Sequence, residues 1–469
     1  MNAARENALF EHSNVTQAIL RMAIPTVIGQ VILVIYNMAD TFFIAQTGND
    51  AMITAVTICM PAFMFLSAIS NLFGVGGASV ISRMLGLRAG HKVGLASAFA
   101  FWGCLLTAVL YSLLAWLGRD VFIDLLGGTN SEAHQAARDY LFYTVICGGA
   151  VTASGVLLSH LIRAEGRALH ASIGIALGGV LNIVLDPLFI FVLLPPGKEA
   201  MGAAVATTLS NLISLLYFIV ILVYNRKKSF LSFRPTKECL SQRIPASVFT
   251  AGIPACVMTL FENISYAVLD KLMSFNGIEM QAGIGVAKKV NMLAHCTVRG
   301  IAQGSLPLIG YNFAAGKFTR MRSAVRVSHN LAVATASVCM AVSLIWAKPL
   351  IGIFIRNGSA SLDFGSLFLR VLCVGGPFSA SAYTYISFFQ ATGEGRKSFL
   401  LALLRKGIVD IPLMFLLRML LPAVGVVMAT PLADAFCCVA ANVMFASYNR
   451  HLKGSVLDNR HEEILGVRV

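Results

Sequence analysis

The chain has 469 residues, of which 57% are hydrophobic and only 12% charged, and its mean hydropathy is +0.76. Soluble globular proteins carry about 25% charged residues, so this composition excludes an ordinary soluble domain and indicates a polytopic membrane protein. The net charge of +14 does not by itself indicate a nucleic-acid partner, because the position of the basic residues along the chain gives it another explanation.

Apolar runs of about 20 residues, the length that crosses a bilayer, predict twelve transmembrane helices. With a cytoplasmic N-terminus, most of the 36 lysines and arginines fall on the cytoplasmic side, as the positive-inside rule describes. We therefore expect a multi-pass plasma-membrane protein with both termini cytoplasmic, embedded in lipid and without a nucleic-acid partner. The predicted spans begin near Gln17, Met52, Val93, His134, Leu169, Met201, Ser247, Gln281, Met321, Ser366, Lys397 and Gly425.

The two halves of the chain repeat each other. The segments 22–40, 185–191 and 202–207 match 251–270, 409–415 and 425–430 in order and at nearly one offset. Within them LDPLFIF corresponds to VDIPLMF and GAAVAT to GVVMAT. Six spans per half insert both halves the same way up, the parallel-repeat arrangement of some secondary transporters, whose substrate sites lie between the repeats. We predict an N-terminal six-helix lobe (1–224), a cytoplasmic linker (225–246), a C-terminal six-helix lobe (247–450) and a cytoplasmic tail (451–469).

Acidic residues within the spans are the candidate functional residues, because a carboxylate in hydrocarbon is costly and usually faces a cavity. Asn182 and Asp186 share a helix face, and Pro187 disfavours regular helix at Asp186. That would free carbonyl oxygens, a recurring way to coordinate cations. Thr207 could add a hydroxyl. These hard oxygen ligands suit H⁺ or Na⁺, although Asn182 and Asp186 could instead only cap the proline kink.

Further candidates lie on the first and fourth spans. Asp40 shares a helix face with Tyr36 and Asn37, and Tyr140 and Tyr143 could supply a phenol to the same site.

The seventh span carries a second acidic face, formed by Glu262, Tyr266 and Asp270 at every fourth residue. A salt bridge and a substrate contact are equally plausible for Asp270, whereas Glu262 is favoured as a contact to a cation. The basic residues that could neutralise these two acids are Lys271, Lys288 and Lys289.

Asp410 lies in the segment that matches the fifth span. Arg405 and Lys406 precede it closely, so we expect an internal ion pair there.

The chain resembles the multidrug and toxic compound extrusion (MATE) family over essentially its whole length. The resemblance rests on YNMADTFFIAQTG (36–48), FGVGGASVISRMLG (73–86), NIVLDPLFIF (182–191), GAAVAT (202–207) and QGSLPLIGYNFAAG (303–316). It implies a V-shaped pair of six-helix lobes and export of organic cations or amphipathic drugs in exchange for H⁺ or Na⁺. No other cofactor is implied, and a single chain should suffice as the working unit.

The resemblance also implies site residues. The coupling cation, including a possible Na⁺, would be held by Asp40, Asn182, Asp186 and Thr207, with Tyr143 or Tyr140 nearby, and Glu262 would serve cationic substrate. From their places on the first and seventh spans, Tyr36, Asn37, Tyr266 and Asp270 are further candidates for contacts with substrate. No acid precedes Glu394 on the tenth span, where one branch of the family has an aspartate, so a second-lobe cation site is doubtful.

Three other functions were weighed against cation-coupled export. A flippase for lipid-linked precursors shares the architecture, but it should line its cleft with arginines, and the first-half spans contain almost no basic residues away from their ends. A membrane enzyme is disfavoured because the nine histidines are scattered without metal-ligand spacing. A pure channel is disfavoured because a duplicated unit with asymmetric acids suits rocking better than a symmetric pore.

Overall fold

A computed structural model describes residues 9–125, 131–195, 197–241, 243–355 and 359–457. Within these ranges the chain forms twelve long helical segments, named α1 to α12 here, and no strand.

The first repeat contains α1 to α6, and two of these segments include π-helical turns. The bounds are α1 Val15–Gln46, α2 Asp50–Gly86, α3 Gly90–Leu117, α4 Ser131–Leu141 continued by the π turn Phe142–Cys147 and by Gly149–Ala164, α5 Ala168–Leu188 continued by the π turn Phe189–Leu193, and α6 Glu199–Tyr224.

The second repeat contains α7 to α12. The bounds are α7 Ile244–Ser274, α8 Ile278–Ala314, α9 Phe318–Ile345, α10 Ala360–Cys373 with Gly376–Thr392, α11 Gly395–Leu403 continued by the π turn Leu404–Ile408 and by Asp410–Leu420, and α12 Val424–Leu457.

Two segments bend at corresponding places in the repeats. The helices of α4 meet at 48° beside Gly148, and those of α10 meet at 44° beside Gly375. Glycine lowers the cost of departing from helical geometry, so the shared bend follows from glycines at matching positions.

The helices are long and apolar enough for a multi-pass membrane protein. Eight of the described segments pass a test of length and hydropathy for crossing a bilayer, and ten pass if each bent pair counts as one span. The remaining two are α8 and α11, which carry buried or half-buried bases within the segment, among them Arg299 and Lys406. The predicted all-α fold with twelve helices in two repeats is confirmed.

The chain forms two compact units. The first comprises Met1–Glu6, Ile28–Ile81 and Gly90–Leu260, and the second comprises Asn7–Val27, Ser82–Ala89 and Phe261–Val469. Three helices, α1, α2 and α7, therefore contribute residues to both units. The predicted lobe boundaries follow the sequence repeat and stay a prediction.

Glycines allow the helices of each unit to pack closely. In the first unit, a Cβ on Gly252 of α7 would lie 1.9 Å from the carbonyl oxygen of Leu72 on α2. In the second unit, a Cβ on Gly300 of α8 would lie 2.7 Å from Val27 Cα on α1. Gly300 belongs to the glycine-rich run 299–316 and Leu72 to the glycine-rich run 71–86, and small residues of this kind permit close helix contacts.

Candidate functional site

Three predicted residues of the first repeat meet in the buried interior between α5 and α6. Asn182 Nδ2 donates to Asp186 Oδ1 at 2.9 Å and lies 3.3 Å from Thr207 Oγ1. Asp186 is 0% exposed, and the other two side chains are also buried. The one-turn spacing brings Asn182 beside Asp186, and the glycine and alanines of GAAVAT let α6 approach closely enough for Thr207 to join them.

Two oxygen atoms of this cluster accept no hydrogen bond. Asp186 Oδ2 and Asn182 Oδ1 are both buried and have no donor among the described residues. Unsatisfied buried acceptors are costly. A proton or a small cation is the kind of ligand that would satisfy both atoms at once.

Tyr36, Asp40 and Tyr140 lie near the cluster formed by Asn182, Asp186 and Thr207. Charge interactions link Asp40 to Asp186, and both carboxylates to the two tyrosines. Tyr36 lies against α5, where a Cβ on Gly179 would come within 3.1 Å of its ring. Asp40 and Tyr140 are buried, so the structure brings these predicted residues together.

Asn37 and Tyr143 have other contacts. Asn37 Nδ2 donates to the Leu33 carbonyl of its own helix at 2.6 Å. The carbonyl of Tyr143 accepts from Thr208 Oγ1 at 2.8 Å, and its half-buried ring packs edge-on against Phe142.

The expected unwinding of α5 at Asp186 does not occur. The α-helix continues through Pro187 to Leu188 and widens into a π turn only from Phe189 onwards. The Phe189 amide donates to the carbonyls of both Asp186 and Leu185. Proline lacks an amide donor, and the helix widens from two residues after it, while the Asp186 carbonyl is hydrogen-bonded.

In the second repeat, Glu262 is held by an arginine from α8. Arg299 Nη2 donates to Glu262 Oε2 at 2.6 Å, and the Tyr383 hydroxyl donates to Oε1 at 3.2 Å. Glu262 is thus neutralised by Arg299 and not by one of the lysines that the sequence suggested. The arginine was missed because its partner lies on another helix, although a base inside an apolar span is itself a signal.

Asp270 forms the salt bridge that was one of its two expected roles. Lys288 of α8 pairs with both carboxylate oxygens, and the same ammonium lies 5.5 Å from the centre of the Tyr266 ring. Lys271 instead lies over Phe275.

The expected internal ion pair at Asp410 is present. Lys406 Nζ donates to Asp410 Oδ2 at 3.1 Å across one helical turn. Arg405 instead pairs with Asp434 of α12, with its Nε donating to Asp434 Oδ1 at 2.8 Å. All four side chains are almost completely buried.

Comparison with known families identifies a duplicated unit. The MatE family model matches the chain twice, over residues 25–188 and 254–416. The two matches confirm the internal repeat and together cover more than half of the chain.

Named relatives match over nearly the full length. The chain is 30% identical to the multidrug export protein MepA of Staphylococcus saprophyticus, over 92% of this chain and 94% of that protein. It is 29% identical to MepA of Staphylococcus haemolyticus, over 94% and 95%. These relatives are named as multidrug exporters, which favours that function over the flippase alternative.

Solved structures share the fold. An outward-facing multidrug resistance MATE family transporter superposes with a TM-score of 0.87 at 24% identity, covering 95% of this chain and 98% of that one. A MATE crystallised with MaL6 gives the same TM-score and identity, covering 95% and 99%. Fold, duplication and sequence agree, and the chain belongs to the MATE family of membrane transporters and is not an enzyme.

Proposed function

We propose that the chain is a secondary active exporter that moves organic, mainly cationic or amphipathic compounds out of the cell in exchange for H⁺ or Na⁺. The observation that carries the proposal is the pair of buried acceptor atoms, Asp186 Oδ2 and Asn182 Oδ1, that have no donor in the described part of the chain. The names of the staphylococcal relatives support the substrate class.

The coupling cation binds at the first-repeat cluster, which we define as Asp40, Asn182, Asp186 and Thr207. Asp186 supplies the charge, Asn182 and Thr207 supply neutral oxygens, and Asp40 adds a second carboxylate nearby. Tyr140 closes one side of the cluster, and Tyr143 lines its approach.

Organic substrate is contacted by aromatic and acidic side chains. Tyr36 and Asn37 act beside the first-repeat cluster, so the affinity for substrate would depend on whether the cation is bound there. Glu262, Tyr266 and Asp270 contact the positive group of a substrate only if that group replaces Arg299 or Lys288, their present partners.

The energetics are sufficient for export. Each charge that crosses 100 mV is worth about 2.3 kcal/mol, which corresponds to a concentration ratio of about fifty. One chain contains both repeats, so we propose that it works as a monomer in the plasma membrane with both termini in the cytoplasm.

The test is ethidium efflux from proteoliposomes under an imposed H⁺ or Na⁺ gradient, comparing wild type with Asp186→Asn. We expect wild type to respond to one of the two gradients, and the variant to bind ethidium but to lose gradient-driven efflux by about tenfold or more, the effect of 1.4 kcal/mol on a rate.

The matched control is Asp363→Asn, which neutralises an aspartate that is 69% exposed and paired with Lys348. It should export like wild type. Unchanged efflux by Asp186→Asn would make Asp186 a helix-capping residue and remove the proposed coupling site.

A further inference from the structure

The second repeat contains a counterpart of the first-repeat cluster. In the matched segments LDPLFIF and VDIPLMF, Asp186 corresponds to Asp410; in GAAVAT and GVVMAT, Thr207 corresponds to Thr430. The residue four positions before the aspartate is Asn182 in the first repeat and Lys406 in the second. One residue of the three therefore differs, and the change replaces a neutral amide by an ammonium.

The counterpart is also a buried cluster around an aspartate. Lys406 Nζ donates to Asp410 Oδ2 at 3.1 Å, as Asn182 Nδ2 donates to Asp186 Oδ1. The threonines differ, because Thr430 Oγ1 donates to Asp410 Oδ1 at 3.1 Å, whereas Thr207 Oγ1 accepts from Asn182. Lys406 is 1% exposed and Asp410 0% exposed. A buried polar cluster on the corresponding pair of helices is thus present in both repeats.

The two clusters differ in whether both oxygens of the aspartate accept hydrogen bonds. Both oxygens of Asp410 are satisfied, because Oδ2 also accepts from Ser265 Oγ at 2.6 Å and Oδ1 accepts from Thr430. The corresponding Oδ2 of Asp186 has no donor among the described residues. In the second cluster, both oxygens of Asp410 have hydrogen-bond donors from the protein, so no ligand is needed to satisfy them.

Lys406 supplies the charge that a bound cation would supply. A buried carboxylate needs one compensating positive charge, and the neighbouring Arg405 is already bound by Asp434 at 2.8 Å and by Ser379 at 3.0 Å. The Lys406 ammonium also lies 5.5 Å from the centre of the Tyr266 ring, a favourable place for a cation. A tethered ammonium loses no translational freedom on binding, so a free ion competes with it poorly.

We propose that Lys406 is a tethered cation that closes the second repeat's copy of the cation site. Each chain then has one exchangeable cation site, the first-repeat cluster, and replacement of Lys406 by the asparagine found at the matching position opens a second. The inference rests on the proposed function in that it takes the first-repeat cluster to bind the coupling cation.

The test counts cations bound by the purified full-length protein in lipid nanodiscs. Two probes are used: radioactive Na⁺ at alkaline pH, and proton uptake in weakly buffered solution containing choline instead of Na⁺. With whichever probe binds to wild type, we expect the stoichiometry to rise from about one per chain to about two in Lys406→Asn, because Asp410 loses the ammonium group of Lys406.

The double variant Lys406→Asn with Asp410→Asn is the matched control. It keeps the new amide and removes the carboxylate, so the stoichiometry should return to the wild-type value. A value in Lys406→Asn equal to that of wild type and of the double variant would overturn the proposal.

Asn182→Lys in the first repeat tests the same idea if Lys406→Asn does not fold. Placing an ammonium beside Asp186 should abolish cation binding and reduce gradient-driven ethidium efflux by about tenfold or more, with ethidium binding retained. Coupled efflux at the wild-type rate would contradict a closing role for lysine at this position.

The two proposals fail in different ways. If wild type binds neither Na⁺ nor protons at Asp186, as shown by Asp186→Asn leaving the stoichiometry unchanged, the proposed function fails. If Asp186→Asn removes the bound cation but Lys406→Asn adds none, only the inference about Lys406 fails.

Discussion

At the scale of single residues, the two repeats neutralise their buried acids differently. In the first repeat Asp186 accepts a hydrogen bond from the Asn182 amide, which also lies 3.3 Å from the Thr207 hydroxyl, whereas the buried Glu262, Asp410 and Asp434 of the second repeat each have an arginine or lysine partner. A carboxylate that is already paired with an arginine or a lysine attracts a further cation only weakly. The difference supports the proposal that the coupling cation binds in the first repeat.

Neutralising Glu262 should destabilise the second unit. In Glu262→Gln the Arg299 guanidinium would lose its charged partner, and we expect a loss of about 1–3 kcal/mol, below the 3–5 kcal/mol typical of a broken fully buried pair, since the Arg299 side chain is 29% exposed. The measurement is the thermal unfolding temperature in detergent.

The double variant Glu262→Gln with Arg299→Gln removes both charges and should recover part of the lost stability. A double variant less stable than Glu262→Gln by the full effect of Arg299→Gln alone would show that the two residues do not act as a pair.

Sequence predicted contacts within one helix directly from spacing, whereas contacts between helices could be named only as alternatives, and one of them was missed. The pairs Asn182–Asp186 and Lys406–Asp410 follow from a spacing of one helical turn. The pair Arg299–Glu262 joins α8 to α7, and a helical period gives the face of a side chain but not the neighbour that this face meets.

At the scale of elements, close helix packing depends on a few glycines. Gly252 leaves no room for a Cβ against the Leu72 carbonyl, whereas a Cβ on Gly285 of α8 would meet nothing within 4 Å. Small residues at such crossings replace the hydrophobic driving force that lipid does not provide.

Gly252→Ala should therefore lower the unfolding temperature and the yield of folded protein, because α2 and α7 would have to separate. Gly285→Ala is the matched control, and it should be neutral or stabilising by about 0.5–1 kcal/mol, the gain of alanine over glycine in a helix. Equal behaviour of the two variants in a thermal unfolding assay would refute the close contact.

The glycine-rich runs 71–86 and 299–316 can be recognised from the sequence, and Gly300 in the second run lies at a close helix contact. The π turns in α4, α5 and α11 could not be predicted, because a wider turn is a compromise between a local backbone and its packing neighbours. Pro187 illustrates this: it marks the region correctly, but the helix widens only from two residues after it.

At the scale of the whole molecule, the segment 10–13, which precedes α1, is held by α8 and α9 within the second unit. The Tyr311 hydroxyl donates to Glu11 Oε1 at 2.5 Å, and Arg320 donates to the carbonyls of Phe10 and Ser13 at 2.7 and 2.6 Å. The hydrogen bond from Tyr311 holds the pKa of Glu11 below its usual value of 4.5, and the charges of Lys317 and Arg88 act in the same direction.

The lowered pKa of Glu11 determines how its contribution to stability changes with pH. The carboxylate of Glu11 contributes stability above pH 4.5, and this contribution is lost as the pH falls through the lowered pKa. Glu11→Gln should therefore reduce the unfolding temperature at pH 7, and the difference from wild type should shrink in acid. A difference that is independent of pH would mean that the charge of Glu11 has no part in holding this segment.

Sequence predicted the twelve helices and the duplication, because both depend on local hydropathy and on matching motifs. It did not predict that α1, α2 and α7 contribute to both compact units, since the repeat boundary marks where the gene duplicated and not where the packing divides.

The division of α1 between the two units affects when this helix can pack during synthesis. All segments of the first unit have been made once Leu260 has left the ribosome, but Asn7–Val27 belongs to the second unit. Its packing partners include Gly300 and Gly304 of α8, where a Cβ would lie 2.7 Å from Val27 Cα and 2.8 Å from Ala23 Cα. The first part of α1 therefore meets its packing partner only after α8 has been synthesised. A truncated product that ends in the linker would expose the unpartnered face of α1 to lipid or to quality-control proteases.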